Sequence, residues 1–411
     1  MVDIGRSKRA EEAYSFDEVA IVPSRRTRGI DDVDVTWKID AVTLDFPLIA
    51  APMDSVMSPA TVIAMGELGG LGVLNCEGLW GRYDDPSSCL AQLAKIPERR
   101  EREATMKLQK IYAAPLRPEL VKDRLNEIRA SGVPFAAAVS PKNAEALTPL
   151  VAASGADFLV IRGTTVSAEH ISTQYDAQAE PAGTSQPPAQ DKRFGSQSSP
   201  SGTGQPLTKD KRSGPQPGPL DLKQFIKTLD VPVIAGGCAN YHTALHLMRS
   251  GVVGVLVGFG GGARRATRNV LGIEVPMATA VSDVAAARRD YLDESGGRYV
   301  HVIADGSLGD SGDIAKALAL GADAAMIGVP LARSVEAPGL GFHWGPEAWH
   351  ATLPRGLRAH VDTYGTLREI LLGPASIANG SMNLVGALRR TLASTGYDDL
   401  KHFQRADLVV V

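Results

Sequence analysis

The stretch VHVIADGSLGDSGDIAKALALGADAAMIGVP occupies residues Val300–Pro330. A short apolar run (VHVIADG) ends in Asp and Gly, an amphipathic segment (SGDIAKALALG) follows, and a second apolar run (AAMIGVP) comes soon after it. Such runs are typical of neighbouring strands in a parallel sheet, because helices cover both faces of that kind of sheet. The stretch therefore predicts a strand–helix–strand unit of an α/β protein.

The same alternation extends towards the N-terminus. Six further apolar runs, each followed by a helical stretch, precede the unit: FPLIAAP, LGVLN, PFAAAV, DFLVIR, PVIAGG and VGVLVG. Eight strands alternating with helices favour a closed (β/α)₈ TIM barrel, forming one domain over residues 1–411. An open doubly wound sheet is the alternative, although it usually has fewer units and no GxGxxG follows the first strand. We expect residues 14–44 to form short strands that cover the bottom of the barrel.

Residues 176–219 interrupt this pattern. They are rich in Pro, Gly, Ser and Gln and contain almost no aliphatic side chains. This composition cannot bury enough apolar surface to offset the entropy lost on ordering, so it predicts a disordered insert. A linker between two domains is the usual alternative. The strand pattern on the two sides forms one series, which favours an insert within the barrel domain.

The overall composition argues against several classes of protein. The formal net charge of -3 at pH 7 gives no drive towards nucleic acid or an anionic membrane. No apolar run approaches the roughly 20 residues that span a bilayer, and the N-terminus lacks the apolar core of a secretion signal. The three cysteines have no CxxC spacing, which argues against disulfides or a structural zinc site. We expect a cytoplasmic protein without a metal site.

A TIM barrel carries its site on the loops that follow the strands. The loops after strands seven and eight often hold a phosphate on backbone N–H groups, and Gly306 and Gly328 permit such a close approach. Asp305 suits the hydroxyl groups of a sugar as a hydrogen-bond acceptor. Its alternative role is to cap the turn that follows.

A glycine-rich loop, VGFGGGARRATR (Val257–Arg268), follows strand six. Its glycines permit unusual dihedral angles or a close ligand approach. Arg264 and Arg265 come next, and two positive charges beside backbone donors suit a phosphate or a carboxylate. The alternative is that Arg265 extends into solvent or pairs with an acid such as Asp54.

Other polar positions are weaker candidates. In GTTVSAEH, Thr164 and Thr165 can contact a ligand, but helix capping by Ser167 explains the motif slightly better. The pair Arg288–Arg289 falls on a predicted helix face and is expected to be solvated. Three histidines at loop or strand ends offer no metal-ligand spacing and are expected to be structural: His242, His301 and His343.

Four segments together resemble the IMP dehydrogenase/GMP reductase family: YSFDEVAIVPSRR, PLIAAPMDSVM, the glycine loop with its trailing TR, and VIADGSLGDSGDIAKALALGADAAMIG. They occur in the family's order and cover most of the chain outside the insert. The C-terminal NGSMNLVGALRRTLASTGYDDLKHFQRADL looks closest to the IMP dehydrogenase-related proteins of actinobacteria, which lack the regulatory CBS pair. Only about 58 residues separate LGVLN from PFAAAV, too few to include two such modules.

The resemblance implies NAD-dependent oxidation of IMP to XMP, a step of GMP biosynthesis. In that chemistry a cysteine in the loop after strand six attacks C2 of the purine, hydride passes to the nicotinamide, and the adduct is hydrolysed. The resemblance also implies a purine nucleoside monophosphate as the bound molecule, a homotetramer, and a monovalent cation at the Gly260–Gly262 loop. The residues matched to the substrate-binding positions are Met53, Asp305, Gly306, Ser307 and Gly328. Those matched to the NAD-binding positions are Arg162, Gly260 and Gly262.

The catalytic positions depart from the family pattern. Arg265 stands where the family has its nucleophilic cysteine, near the matched Thr267, and a protonated guanidinium cannot attack carbon. Cys76 and Cys89 follow strand two and Cys238 follows strand five, so none lies in that loop. Four further positions also differ: Ala51 and Val329 replace serines, Ser307 replaces a glycine, and Arg162 replaces the aspartate that holds the cofactor ribose.

Two functions are therefore open. The first is an IMP dehydrogenase-related oxidoreductase whose activity is impaired because Arg265 occupies the nucleophile position. The second is a catalytically silent or re-purposed barrel that binds a purine nucleotide.

Overall fold

The computed structural model describes residues 2–4, 6–163, 169–170, 220–258, 266–350 and 357–411 of the 411-residue chain. Within these ranges, eight strands form one sheet in which every paired neighbour is parallel. They are β1 (Leu48–Ala50), β2 (Gly72–Asn75), β3 (Phe135–Val139), β4 (Phe158–Arg162), β5 (Val233–Cys238), β6 (Gly254–Val257), β7 (His301–Asp305) and β8 (Ala324–Ile327). Each predicted apolar run supplies one of these strands. The predicted insert at 176–219 lies outside the described residues.

The order of the strands brings the first beside the second and the last. The sheet runs β1-β8-β7-β6-β5-β4-β3-β2, and a parallel bridge between Ile49 and Leu71 joins β1 to the start of β2. At this junction the N–H of Ala50 donates to the carbonyl of Leu71 (2.8 Å), and that of Leu71 donates to Leu48 (3.2 Å). The predicted (β/α)₈ barrel is confirmed, and the alternative of an open sheet is wrong.

Helices follow the strands, and several of them begin at a short polar side chain that accepts from an otherwise unpaired N–H group. Ser58 accepts from the N–H of Thr61 (3.1 Å), and Asp310 accepts from that of Asp313 (3.0 Å). The helices in the described ranges are α1 (Pro59–Glu67), α2 (Ser87–Ala94), α3 (Glu101–Tyr112), α4 (Pro118–Ala130), α5 (Ala144–Ser154), α6 (Leu222–Ile226), α7 (Tyr241–Arg249), α8 (Ala266–Leu271), α9 (Met277–Glu294), α10 (Ser311–Ala319), α11 (Val329–Ala332), α12 (Leu367–Leu372), α13 (Leu384–Ser394) and α14 (Leu400–Phe403). None of them combines the length and the apolar character that crossing a bilayer requires.

Buried apolar side chains fill the inside of the barrel. Ile49 of β1 and Ile303 of β7 belong to this cluster, and a hairpin of Trp37–Ile39 and Val42–Leu44 packs against it. The indole N–H of Trp37 donates to Nδ1 of His301 at the start of β7 (3.3 Å). The hairpin therefore covers the bottom of the barrel, which confirms the prediction for this part of residues 14–44.

The first part of that segment lies elsewhere. Phe16–Glu18 forms a turn at the opposite end of the barrel, where Lys316 donates to the carbonyl of Phe16 (2.8 Å). Val19–Ile21 pairs antiparallel with Leu408–Val410. The prediction that all of residues 14–44 cover the bottom was wrong for residues 15–18, because they line the cavity at the other end of the barrel.

A separate apolar cluster lies above the barrel beside β2. Helices α2 and α3 pack against the segment that follows β8, where Phe342, Trp344 and Ala348 are buried. The guanidinium of Arg358 lies 3.6 Å from the centre of the Phe342 ring and donates to two carbonyl groups at the end of α2. The pair α2 and α3 thereby supports the segment whose Trp344 and Trp349 line the barrel mouth.

Arg288 is buried, and the prediction that it is solvated was wrong. Its guanidinium lies 2.6 Å from the carboxylate of Asp323, and both side chains are less than a tenth exposed. The carboxylate also accepts from the O–H of Tyr299 (2.6 Å) and the N–H of Val302 (2.8 Å). Arg289, the next residue, is exposed as predicted.

Candidate functional site

A cavity of about 1130 Å³ opens at the carboxyl ends of the strands. The loops after β1, β2, β4, β7 and β8 contribute to its wall. Ser15–Glu18 also contribute, as do Trp344 and Trp349 further along the chain after β8. The structure thus brings together six side chains or backbone positions that the sequence matched to the site. These six are Met53, Arg162, Asp305, Gly306, Ser307 and Gly328.

The glycine-rich loop is not described beyond Gly258. Gly260, Gly262, Arg264 and Arg265 lie outside the described residues, as do Thr164, Thr165 and Ser167. Thr267 belongs to α8, but its side chain is also outside them. Their roles remain predictions. At Gly258, which lines the cavity, a Cβ atom would overlap the carbonyl oxygen of Asp305, so this position requires glycine.

An ion pair crosses the cavity between β4 and β7. Nε of Arg162 lies 2.9 Å from Oδ2 of Asp305, and its NH2 lies 3.2 Å from Oδ1, which makes a bidentate contact. The two side chains are 22% and 11% exposed. Burial disfavours the charged guanidinium, but attraction to Asp305 outweighs this effect and raises the pKa of Arg162. Arg162, predicted only as a substituted cofactor position, is the partner of Asp305.

This pair limits what Asp305 can do. Its carboxylate already accepts two guanidinium N–H groups, yet a carboxylate has about four acceptor positions, so capacity for a sugar hydroxyl remains. Asp310, not Asp305, caps the start of α10. The turn between them has positive φ at Gly306 (144°) and Ser307 (53°).

The loop after β1 is fixed from behind by a buried carboxylate. Oδ2 of Asp54 accepts from the N–H of Leu79 (2.9 Å) and from the O–H of Tyr112 at the end of α3 (2.6 Å). Tyr112 in turn accepts from the indole N–H of Trp344 (3.1 Å) and stacks on Trp349 with ring centres 4.6 Å apart. These contacts hold Asp54 away from the cavity that its neighbour Met53 lines.

Burial raises the pKa of Asp54 from 3.8 to about 6. The folded protein therefore binds a proton on the Asp54 carboxyl more tightly than the unfolded chain does. The free energy of unfolding consequently falls as pH rises between about 4 and 6. The contribution of Asp54 to the free energy of unfolding decreases by about 3 kcal/mol over that range. Relative to an Asp54→Asn variant, the wild type should lose about this much between pH 4 and pH 7, measured by urea unfolding at each pH. The exposed α4 substitution Asp123→Asn serves as the control, and parallel pH profiles for Asp54→Asn and the wild type would contradict the expectation.

The surroundings of Gly328 are poor in hydrogen-bond donors. A Cβ at this position would lie 3.3 Å from Cε1 of His343, 3.6 Å from Cβ of Ala51 and 3.6 Å from the sulfur of Met53. Helix α11 then begins with Val329 and Pro330, and proline has no N–H to offer. Burial, assisted by the charge of Arg162, lowers the pKa of His343 to about 4, so its imidazole is neutral. A phosphate at the end of β8 therefore finds less support than the sequence predicts.

Glu77 is a cavity residue that the sequence reasoning missed. Its carboxylate accepts from the backbone N–H of Ser140, from the hydroxyl of Ser140 (3.1 Å) and from the amide of Asn143 (2.7 Å). These contacts tie the loop after β2 to the loop after β3. Because the partners are more than 60 positions apart, no local motif indicates them.

The described cysteines are unsuited to attack a ligand in the mouth. Cys76 and Cys238 are buried, and burial raises the pKa of both thiols to about 12. Cys238 is the last residue of β5, not part of the loop after it, and its thiol lies 3.5 Å from the carbonyl of Leu256. Cys89 lies on α2, and none of the three lines the described part of the cavity wall.

Fold and site together define a (β/α)₈ barrel with a ligand cavity at the carboxyl ends of its strands, the arrangement used by enzymes of this fold. A family model, "IMP dehydrogenase / GMP reductase domain", matches residues 13–177 and 220–410. The chain belongs to the IMP dehydrogenase/GMP reductase family, as the resemblance implied.

Individual relatives agree with this assignment. The chain is 46% identical over 415 residues to an uncharacterized oxidoreductase of Mycolicibacterium smegmatis, with 100% of both chains covered. It is 27% identical to an inosine-5'-monophosphate dehydrogenase of Thermoplasma acidophilum, covering 96% of this chain and 90% of that one. A crystal structure of an IMP dehydrogenase/GMP reductase-like protein from Corynebacterium glutamicum matches with a TM-score of 0.85 and 44% identity, covering 100% of this chain and 97% of that one.

Proposed function

We propose that the chain binds a purine nucleoside monophosphate in the barrel mouth and does not oxidise IMP by the covalent route of its family. The observation that carries this proposal is the ion pair between Arg162 and Asp305, which both line the cavity. Asp305 keeps acceptor capacity for a ribose, whereas the positions around it no longer suit the oxidation.

The cofactor position supports the second half of the proposal. A cofactor ribose needs an acceptor for its hydroxyl groups, and the guanidinium of Arg162 carries donors only. Two of these donors are already directed at Asp305. The residue present at the end of β4 therefore does not fit NAD in the way that the family resemblance implies.

The nucleophile position supports it as well. Covalent attack on a purine needs a thiolate, and the sequence offers Arg265 in its place. Cys238, the nearest replacement by sequence, is buried at the end of β5 with a pKa of about 12. Losing a covalent nucleophile typically removes several orders of magnitude in rate.

Further elements of the proposal rest on the family. We place the protein in purine nucleotide metabolism in the cytoplasm, linked to GMP biosynthesis, and assembled as a homotetramer. A monovalent cation at the Gly260–Gly262 loop is the remaining expectation.

Two measurements on the purified protein test the proposal. With IMP and NAD, absorbance of the reduced cofactor should not rise, and the intact mass should show no purine adduct. Melting curves with IMP, XMP or GMP should show stabilisation, which reaches about 2.7 kcal/mol when the ligand is at 100 times its dissociation constant. Restoring the thiol alone with Arg265→Cys should not restore full activity, because Arg162 still occupies the cofactor position.

The outcomes separate the two halves of the proposal. IMP-dependent production of NADH by the wild type would overturn the absence of oxidation. Unchanged melting curves with all three nucleotides would overturn the binding.

A further inference from the structure

A second cavity, of about 380 Å³, opens at the bottom of the barrel, and we call it the basal cavity. Its wall comes from the strand Trp37–Ile39, from Tyr299 and His301 at the start of β7, and from α14 with the neighbouring Gln404. Among the described residues, none lines both this cavity and the mouth. The basal cavity is therefore a separate feature from the site described above.

Three aromatic rings form one part of its wall. The rings of Trp37 and His301 meet edge to face with centres 5.6 Å apart, and those of Tyr299 and His301 do so at 5.1 Å. Trp37 is buried, and the side chain of His301 is 15% exposed. Rings held in this way offer flat apolar surface at little cost in conformational entropy, which suits a planar ligand.

The hydrogen bond between Trp37 and His301 fixes the tautomer of the histidine. An indole N–H can only donate, so Nδ1 of His301, 3.3 Å away, must be unprotonated and accept. The proton is therefore on Nε2. Burial lowers the pKa of His301, which keeps the ring neutral. Within the described part of the chain, this Nε2–H has no hydrogen-bond partner.

Gln404 supplies the complementary group. Its amide nitrogen donates to the carbonyl of Ala322 (2.9 Å) and to Oδ1 of Asp323 (3.1 Å). These acceptors set the orientation of the amide, so its oxygen is the atom left over, and it has no partner among the residues described. The Nε2–H of His301 and the amide oxygen of Gln404 thus give the described wall an unpaired donor and an unpaired acceptor.

The charges around the basal cavity nearly cancel. Two lysines, Lys38 and Lys401, face three carboxylates, Asp34, Asp323 and Asp399. Lys401 lies 3.9 Å from the carboxylate of Asp323 and over the ring of Tyr299, so its charge is already engaged. Neither a strongly anionic nor a strongly cationic ligand is favoured.

We propose that the basal cavity binds a small, uncharged heteroaromatic molecule of about the size of a nucleobase. The ring packs against Trp37 and His301. An acceptor on the ligand takes the Nε2–H of His301, and a donor on the ligand binds the amide oxygen of Gln404. This site is independent of the function proposed for the mouth.

The tryptophans of the chain provide a readout for each cavity. The sequence holds four: Trp37 lines the basal cavity, Trp344 and Trp349 line the mouth, and Trp80 lines neither. Full-length protein labelled with 5-fluorotryptophan gives a fluorine NMR signal for each, and Trp37→Phe assigns the first. Adenine, a flat neutral ring with both a donor and acceptors, is the probe.

Adenine at millimolar concentration should shift the Trp37 signal in a saturable way. Lys38→Phe, at an exposed position of the cavity rim, should weaken this binding at least about tenfold by filling the opening. The control Lys122→Phe, exposed on α4, should leave it unchanged. The proposal fails if the Trp37 signal does not move, if only the signals of Trp344 and Trp349 move, or if Lys38→Phe binds adenine as the wild type does.

Discussion

Asp323→Ala is expected to lower the free energy of unfolding by about 3–5 kcal/mol, because removing one partner of a buried ion pair leaves the other charge uncompensated. Arg288, 2.6 Å from the carboxylate, would remain buried in α9. The variant also loses the bonds from the O–H of Tyr299 and the N–H of Val302. Equilibrium unfolding in guanidinium chloride measures the change directly.

A matched control lies on the surface of the same helix. Glu294, the last residue of α9, makes a bidentate pair with Arg249 at 2.8 and 2.6 Å, but both side chains are more than 40% exposed. Glu294→Ala should cost much less than Asp323→Ala, since water screens exposed pairs. Equal losses for Glu294→Ala and Asp323→Ala would show that burial does not govern the stability of the Arg288 pair.

Asp305→Asn is expected to weaken binding of IMP and of inosine alike, by about 2–3 kcal/mol, or roughly 30- to 150-fold. The reason is that the proposed contact is to the ribose, which both molecules contain. The amide has the shape of the carboxylate but neither its charge nor its second acceptor oxygen, so it also loses one bond from Arg162. Isothermal titration calorimetry with the two ligands gives both affinities.

Asp310→Asn controls for the loss of a carboxylate in the same loop. Asp310 starts α10 by accepting from the N–H of Asp313, and asparagine fills that role well, so affinity should be unchanged. If Asp305→Asn weakened IMP but not inosine, the contact would involve the phosphate rather than the ribose. Unaltered affinity for both ligands in Asp305→Asn would place the nucleotide elsewhere.

The strands of the barrel were predictable because each is a short apolar run between polar turns. That signal is local, and it depends only on both faces of the strand being buried. The site loops were found by the same reasoning, since the position of a loop after a strand fixes the end of the barrel at which it lies. Met53, Asp305 and Gly328 therefore line one cavity although they come from three separate strands.

Pairings between distant residues were not predictable in this way. Arg162 and Asp305 are 143 positions apart, and the sequence marks Arg162 only as a substitution. Arg288 stands beside Arg289 in what reads as a charged surface, yet a helix turns each successive residue by about 100° and buries only the first. Val19–Ile21 was assigned to the bottom because nothing local identifies Leu408–Val410 as its partner.

The hydrogen bond from Tyr112 to Asp54 has a consequence for redesigning the mouth. The loop after β1 is held by Tyr112, the last residue of α3. The ring of Tyr112 is also stacked on Trp349 of the segment after β8. Tyr112 therefore links two parts of the rim, although it lies on a helix that belongs to neither of them. A bulkier ligand that pushes Met53 outward works against this whole frame. Enlarging the mouth on this side calls for a smaller side chain at position 112 of α3 rather than a change in the loop after β1.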